Sequence, residues 1–294
     1  MQQETQPQFS PTGHETPLTE YAILLIASKG EKCFASGTAI IVGSNLAITA
    51  THVISDFMKM FDNVDYPQDG AFTADFSIQA VQIIGQQQIA VWNVVKTYNA
   101  TALDITFLAL LPHTDTAEAY RWRIPVIALT PPATGSTVLA FGYPRSSAKI
   151  AGLFSGDVEI SVISEPAQAT GTVLEVYPQS RDSVMAPFPC FLTNARLDGG
   201  MSGGPVFDDQ GRLCGIVCSS LPPSEDDDSH SSTVSLLWPA LVTEMDLPVT
   251  GLPPGGKYEV LELAKLGIIV VEDIERLRVQ RHADGSKTIR FQFP

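Results

Sequence analysis

The sequence predicts an all-β protein: two antiparallel six-stranded β-barrels followed by a C-terminal α+β tail. Three observations carry that reading. Short apolar and β-branched runs recur along the 294 residues, punctuated by turn residues. Helical periodicity is nearly absent until the last fifth of the chain. A Pro- and Gly-containing stretch, Thr130-Pro131-Pro132-Ala133-Thr134-Gly135, divides the runs into two sets.

Residues 1–17 are polar, carry prolines at 7, 11 and 17, and read as a mobile N-terminal arm. His14 falls in it and is assigned no role. The first set, within 18–130, comprises runs at 21–27, 33–42, 45–50, 78–84, 89–96 and 103–111. Turns are signalled at Ser28-Lys29-Gly30, Gly43-Ser44-Asn45 and Gln68-Asp69-Gly70. A short helical turn is expected at 53–60. The second set, within 131–246, comprises runs at 137–142, 157–163, 170–176, 189–194, 203–207, 212–218 and 232–238, with a short helix toward Met245. The tail, 247–294, reads as a helix over 258–266 stopped by Gly267, then a hairpin about Ala283-Asp284-Gly285-Ser286. Closing each set into a barrel removes exposed sheet edges and leaves a cleft between the two.

Composition narrows the function. A formal net charge of −14, from 32 acidic against 18 basic residues, argues against nucleic acid or an anionic membrane as partner. No basic and apolar leader is visible, and the run Tyr21–Ala27 is far too short to cross a bilayer. The four cysteines, Cys33, Cys190, Cys214 and Cys218, show no zinc-site spacing. They are read as reduced thiols in a cytoplasmic protein. No cofactor and no metal are expected. The acidic stretch Ser224–His230 is read as a solvated loop.

One stretch organises the chemistry: Gly199-Gly200-Met201-Ser202-Gly203-Gly204-Pro205. Glycines on both sides of a serine let a ligand approach the backbone and free N–H groups to face a developing anion. No Gly-Lys-Ser/Thr follows, and no helix opens, so a phosphate loop is not indicated. A nucleophilic Ser202 needs a base and an orienting acid. His52 ends the β-branched run Ala47-Ile48-Thr49-Ala50-Thr51-His52, and Asp104 heads the apolar run Leu103-Asp104-Ile105-Thr106-Phe107-Leu108. Asp62, Asp65 and Asp75 lie closer to His52 in sequence but lack that context.

In this order, His52, Asp104 and Ser202 resemble the triad of the chymotrypsin-like (trypsin-like) serine peptidases. Thr193-Asn194-Ala195, six residues, then Ser202-Gly203-Gly204-Pro205 is most similar to the HtrA/Deg-type branch, with asparagine where that branch has aspartate. The resemblance spans about residues 20–245 and implies a serine endopeptidase with its active site in the inter-barrel cleft. It implies an oxyanion hole at the backbone N–H groups of Gly200 and Ser202, and protein or peptide substrates. It implies a substrate pocket with Arg196 on the floor and Cys218, Ser219 and Ser220 as wall; the other reading of Arg196 turns it away from the pocket, paired with Asp198 or with the acidic loop. Met201 replaces the aspartate that pairs with a newly cut N-terminus in secreted relatives, so activation by N-terminal cleavage is not expected. A catalytically idle or partner-gated peptide-binding member of the same fold is the alternative. The tail lies outside the resemblance and is expected to dock on the protease or on a protein partner.

Overall fold

The computed structural model describes residues 7–61, 72, 76–84, 88–100, 102–154, 157–221, 231–246 and 256–293; side chains of 151–154, 157–159, 220 and 221 are not described. The Ser224–His230 loop, Asp62, Asp65 and Asp75 lie outside these residues.

The first lobe is a closed barrel of β1 (Ala22–Lys29), β2 (Lys32–Gly43), β3 (Leu46–Thr49), β4 (Phe76–Ile84), β5 (Gln88–Asn99) and β6 (Thr106–Pro112). Its strand order is β1-β2-β3-β6-β5-β4, all neighbours antiparallel. The second lobe is built from β7 (Thr137–Gly142), β8 (Ala167–Tyr177), β9 (Cys190–Thr193), β10 (Pro205–Phe207), β11 (Leu213–Leu221) and β12 (Ser231–Ser235). Its order is β7-β8-β9-β12-β11-β10, and the β10–β7 pairing closes the ring. The two rings therefore share one topology, although the sequence carries no visible repeat.

The alternation of side chains explains how the lobes join. β1 is buried along Ala22–Ala27. Ile23, Leu25 and Ala27 point into the main core, while Ala22, Leu24 and Ile26 form a separate cluster with Phe141 and Tyr143 of the second lobe. Tyr143 also donates through its hydroxyl to the Ala22 carbonyl at 3.1 Å. A second tie is polar. Lys96 on β5 reaches both Asp246 carboxylate oxygens at 2.8 Å, and the Tyr98 hydroxyl donates to Asp246 at 2.6 Å.

Three elements depart from the sequence expectation. Gln8–Pro11, expected within a mobile arm, is a strand paired antiparallel with β8. It forms because β8 offers a free edge, a partner that no local pattern reports. Ser147–Phe154, which falls outside every expected run, pairs with Asp157–Ile163 as a hairpin. The turn at 53–60 is a full ten-residue helix, α1 (Thr51–Met60), burying Val53, Ile54, Phe57 and Met58. In the tail, Val260–Lys265 is helical with a capping box between Glu259 and Glu262. Leu277–Arg281 and Lys287–Phe291 form the hairpin. Val271–Glu272 extends the second sheet by pairing with Ile127–Ala128. Phe291 stacks on Trp238 at 6.0 Å, so the tail packs on the second lobe.

Candidate active site

His52 stands in the first turn of α1, immediately after β3. That helix lacks a side-chain cap of its own, because its N-cap is Ala50. The orphan N–H of His52 is taken instead by Asp104 Oδ1 at 3.0 Å. An anionic carboxylate at a helix N-terminus is favoured by the helix dipole. The same carboxylate holds the imidazole: Oδ2 lies 2.7 Å from His52 Nδ1. An ionised carboxylate only accepts, so Nδ1 carries the proton and Nε2 is left as the base. The His52 side chain is 36% exposed and that of Asp104 13%. Burial pulls the His52 pKa down, but the hydrogen bond and charge of Asp104, with Asp56 adding, outweigh it and leave the pKa raised.

Asp104 comes from the loop between β5 and β6. Ala100 N–H donates to the Ile105 carbonyl at 2.9 Å and Leu103 N–H to the Ala100 carbonyl at 3.1 Å, pinching the loop. Ala102 adopts φ 59°, which costs a non-glycine residue about 1–2 kcal/mol. Behind the carboxylate, Cys218 Sγ donates to Asp104 Oδ2 at 2.9 Å. Burial first, then the Asp104 charge, pushes this thiol's pKa far up, so it remains a neutral donor. The sequence reading made Cys218 a pocket wall; its side chain is committed to the acid.

Ser202 comes from the second lobe on a loop tied to both. Thr38 N–H, from β2, donates to the Ser202 carbonyl at 2.8 Å. Thr38 Oγ1 donates to the Gly200 carbonyl at 2.9 Å and accepts from Tyr143 N–H at 3.1 Å. Gly203 N–H donates to the Val217 carbonyl, and Gly204 N–H to the Met201 carbonyl. Gly203, at φ 77°, lies against the segment that ends in His52: a Cβ there would sit 2.1 Å from Thr49 Oγ1 and 2.7 Å from Ala50 N. Of the three candidate residues, His52 and Asp104 are joined directly by hydrogen bonds, while the loop of Ser202 is tied to the first lobe through the Thr38 N–H and no side-chain hydrogen bond of Ser202 is found among the described residues.

The turn before the serine has a defined hand. Met201 N–H donates to the Asp198 carbonyl at 3.1 Å, and Gly200 at the third position has φ 92°. That combination is a type II turn, which requires φ > 0 there and hence glycine. It fixes which face the Gly199–Gly200 peptide presents. Met201 is fully buried.

Of the two readings of Arg196, the geometry agrees with the outward one: its guanidinium grips Asp198 at 2.7 and 3.0 Å and stacks over the Phe9 ring at 4.9 Å. The strand at Gln8–Pro11, missed from sequence, supplies that ring and draws the side chain outward. Asn194, which stands where the HtrA/Deg-type motif has aspartate, accepts from Thr172 N–H at 2.6 Å and so braces the strand leading to the loop. Thr38 was missed altogether. A buried threonine inside an apolar strand (Thr38 is 0% exposed) was the signal that could have found it.

The cleft in front of the pair holds about 370 Å³ and is lined by His52, Asp104, Lys59, Leu103, Pro187 and Phe188 among others. A larger hollow, about 630 Å³, lies between Leu103 and the tail hairpin at Gly285–Lys287. It holds no such acid–base pair. No helix among the described residues is long and apolar enough to cross a membrane.

No curated protein matches the chain. Among solved structures, the Rv3671c protease from M. tuberculosis in its active form is 20% identical, with 77% of this chain and 83% of that chain covered at a TM-score of 0.39. The MamO protease domain from Magnetospirillum magneticum is 17% identical, covering 74% and 94%, with a TM-score of 0.45. Deg5 is 13% identical, covering 72% and 83%, with a TM-score of 0.44. The sequence profile of the trypsin-like peptidase domain matches residues 37–216, more than half of the chain, and spans His52, Asp104 and Ser202. With two closed six-stranded barrels of this kind, the chain belongs to the trypsin-like peptidase family and has its chymotrypsin-like fold.

Proposed function

We propose that the protein is a serine endopeptidase that works through an acyl-enzyme. The observation that carries this is the 2.7 Å contact of His52 Nδ1 with Asp104, which leaves Nε2 free to act as base. Ser202 Oγ attacks the scissile carbonyl and its proton passes to His52 Nε2. Asp104 stabilises the imidazolium and fixes its tautomer. The proton then goes to the leaving amine, and water repeats the cycle on the ester. The N–H groups of Gly200 and Ser202 receive the oxyanion; the type II turn supports this by setting the Gly200 peptide.

Substrate is taken as an extended strand along Ser219–Leu221, which among the described strands pairs only with β12. Buried, uncharged Met201 supports a loop that orders on folding, without N-terminal cleavage. We assign 18–130 and 131–246 to the two barrel domains, 1–17 to an N-terminal segment, and 247–294 to an accessory element that could also meet a partner. All four cysteines are buried and unpaired, which supports a reducing, cytoplasmic setting.

A fluorophosphonate probe tests the reading. It should label wild type and not Ser202→Ala, and purified protein should cleave a peptide library. Absence of both labelling and cleavage in folded wild type would identify an idle, peptide-binding member of the fold.

A further inference from the structure

His52, Asp104 and Cys218 come from α1, the β5–β6 loop and β11, so no local spacing joins them. Yet one nitrogen, one carboxylate oxygen and one sulfur from these residues lie within 4.8 Å of one another. Two of the three contacts are hydrogen bonds at 2.7 and 2.9 Å, each meeting at Asp104 Oδ2. We propose that this trio is an inhibitory site for a thiophilic divalent cation, zinc first among them. The inhibition, though not the binding, rests on the reading of His52 as the catalytic base.

The donor set suits that ion. Nitrogen, carboxylate oxygen and thiolate sulfur are the three ligand types zinc takes, at about 2.0–2.3 Å, with a fourth tetrahedral position left for water. Seating the ion requires the two short contacts to open by about 0.6 Å, since ligands at those bond lengths stand roughly 3.3–3.5 Å apart in a tetrahedron. The carboxylate is already braced from outside: its other oxygen accepts from His52 N–H at 3.0 Å. His52 is about one-third exposed on the cleft, which gives the ion a way in. The protein's charge of −14 raises the local cation concentration, and Lys59 at the cleft is paired with Asp56 at 3.0 Å.

Binding has a definite proton balance. The Cys218 thiol loses its proton to solvent. The Nδ1 proton of His52 is replaced by the metal, and Nε2 takes a proton from solvent. The dication with one thiolate and one carboxylate is neutral overall. The imidazole then has no lone pair facing Ser202, so the base is consumed. Hard cations gain nothing from the sulfur and nitrogen, so magnesium and calcium are excluded.

The test uses the full chain with cadmium chloride as spectroscopic probe and zinc chloride as inhibitor. Cadmium should produce an ultraviolet thiolate-to-metal charge-transfer band in wild type and in Cys190→Ser, and none in Cys218→Ser. In His52→Ala the band should need at least about 10–100-fold more cadmium, the loss typical when even an outer-shell partner is removed. Zinc should slow fluorophosphonate labelling of wild type, and magnesium should not. No band in wild type, or an equal band in Cys218→Ser, overturns the site. Cadmium bound at Cys218 with labelling undisturbed overturns the inhibition. A protein that never labels, even without metal, fails the peptidase reading, while the band still decides the metal site.

Discussion

Replacing Gly203 by alanine separates two costs that the structure makes unequal. Gly203 has φ 77°, and an added Cβ would meet Thr49 Oγ1 at 2.1 Å, the Thr38 carbonyl at 2.3 Å and Ala50 N at 2.7 Å. The left-handed backbone alone costs about 1–2 kcal/mol for alanine. Forcing a methyl group against two backbone atoms and a buried hydroxyl adds about 1–3 kcal/mol. The sum, about 2–5 kcal/mol, corresponds to a fall in Tm of about 4–20 °C for a protein of this size. Gly211 is the control. Its φ is 74°, and nothing lies within 4 Å of an added Cβ, so Gly211→Ala should lose only the backbone part. The functional penalty is sharper still. The loop must retreat from the segment that ends in His52, and a displacement of about 1 Å costs on the order of 10²-fold in rate. Thermal unfolding and fluorophosphonate labelling rates of both variants measure this. Equal Tm losses in the two variants, with wild-type labelling by Gly203→Ala, would refute the contact between the serine loop and the first barrel.

Other expectations follow from the same geometry. The His52 pKa is raised, and the base works only when neutral, so kcat/KM should rise with pH through a midpoint above the ordinary 6.5, and Asp104→Asn should shift that midpoint down. The stability sign is opposite: the pair stabilises the fold fully below the unfolded pKa, and that contribution is lost as pH rises through the folded one; pH-dependent denaturant melts of wild type and Asp104→Asn read it. Ser202→Ala and His52→Ala should each remove about 10⁶ in kcat, and the double variant little more; multiplicative losses in peptide hydrolysis would exclude a shared proton transfer. Arg196→Ala should leave the P1 profile of a peptide library unchanged and cost no more than about 1 kcal/mol in a denaturant melt, because the guanidinium itself is exposed to solvent.

Strands were readable wherever burial imposes a pattern. β1, β2 and β6 are apolar runs bounded by turns, and their limits fell within a few residues of the expected ones. The tail helix and hairpin carried their own stop and turn residues, Gly267 and Asp284-Gly285. Gln8–Pro11 was unreadable because an edge strand on a neighbour's free rim has no alternation to keep. His52, Asp104 and Ser202 could be singled out as candidates because each sits in a distinctive short context. The residues that hold them could not. Thr38 looks like any β-strand threonine, and Cys218 like any core thiol; their partners are 162 and 114 residues away. The choice between the two readings of Arg196 could not be made for the same reason, since Phe9 is its neighbour only after β8 has recruited an extra strand.

The attachments between the lobes also settle how the molecule moves. A body pinned to another at one point can swivel, and at two points it can still rock about the line between them. Here the described residues give more than two, among them Thr38 on the serine loop, Cys218 on Asp104, the Lys96 and Tyr98 grip on Asp246, and the broad apolar seat of Phe141 and Tyr143 on Ala22, Leu24 and Ile26. No axis remains about which one barrel can turn against the other without breaking at least one of these contacts. The imidazole of one barrel and the serine of the other therefore belong to a single solid, and a polypeptide arriving at the groove must bend its own backbone to a gap of set width.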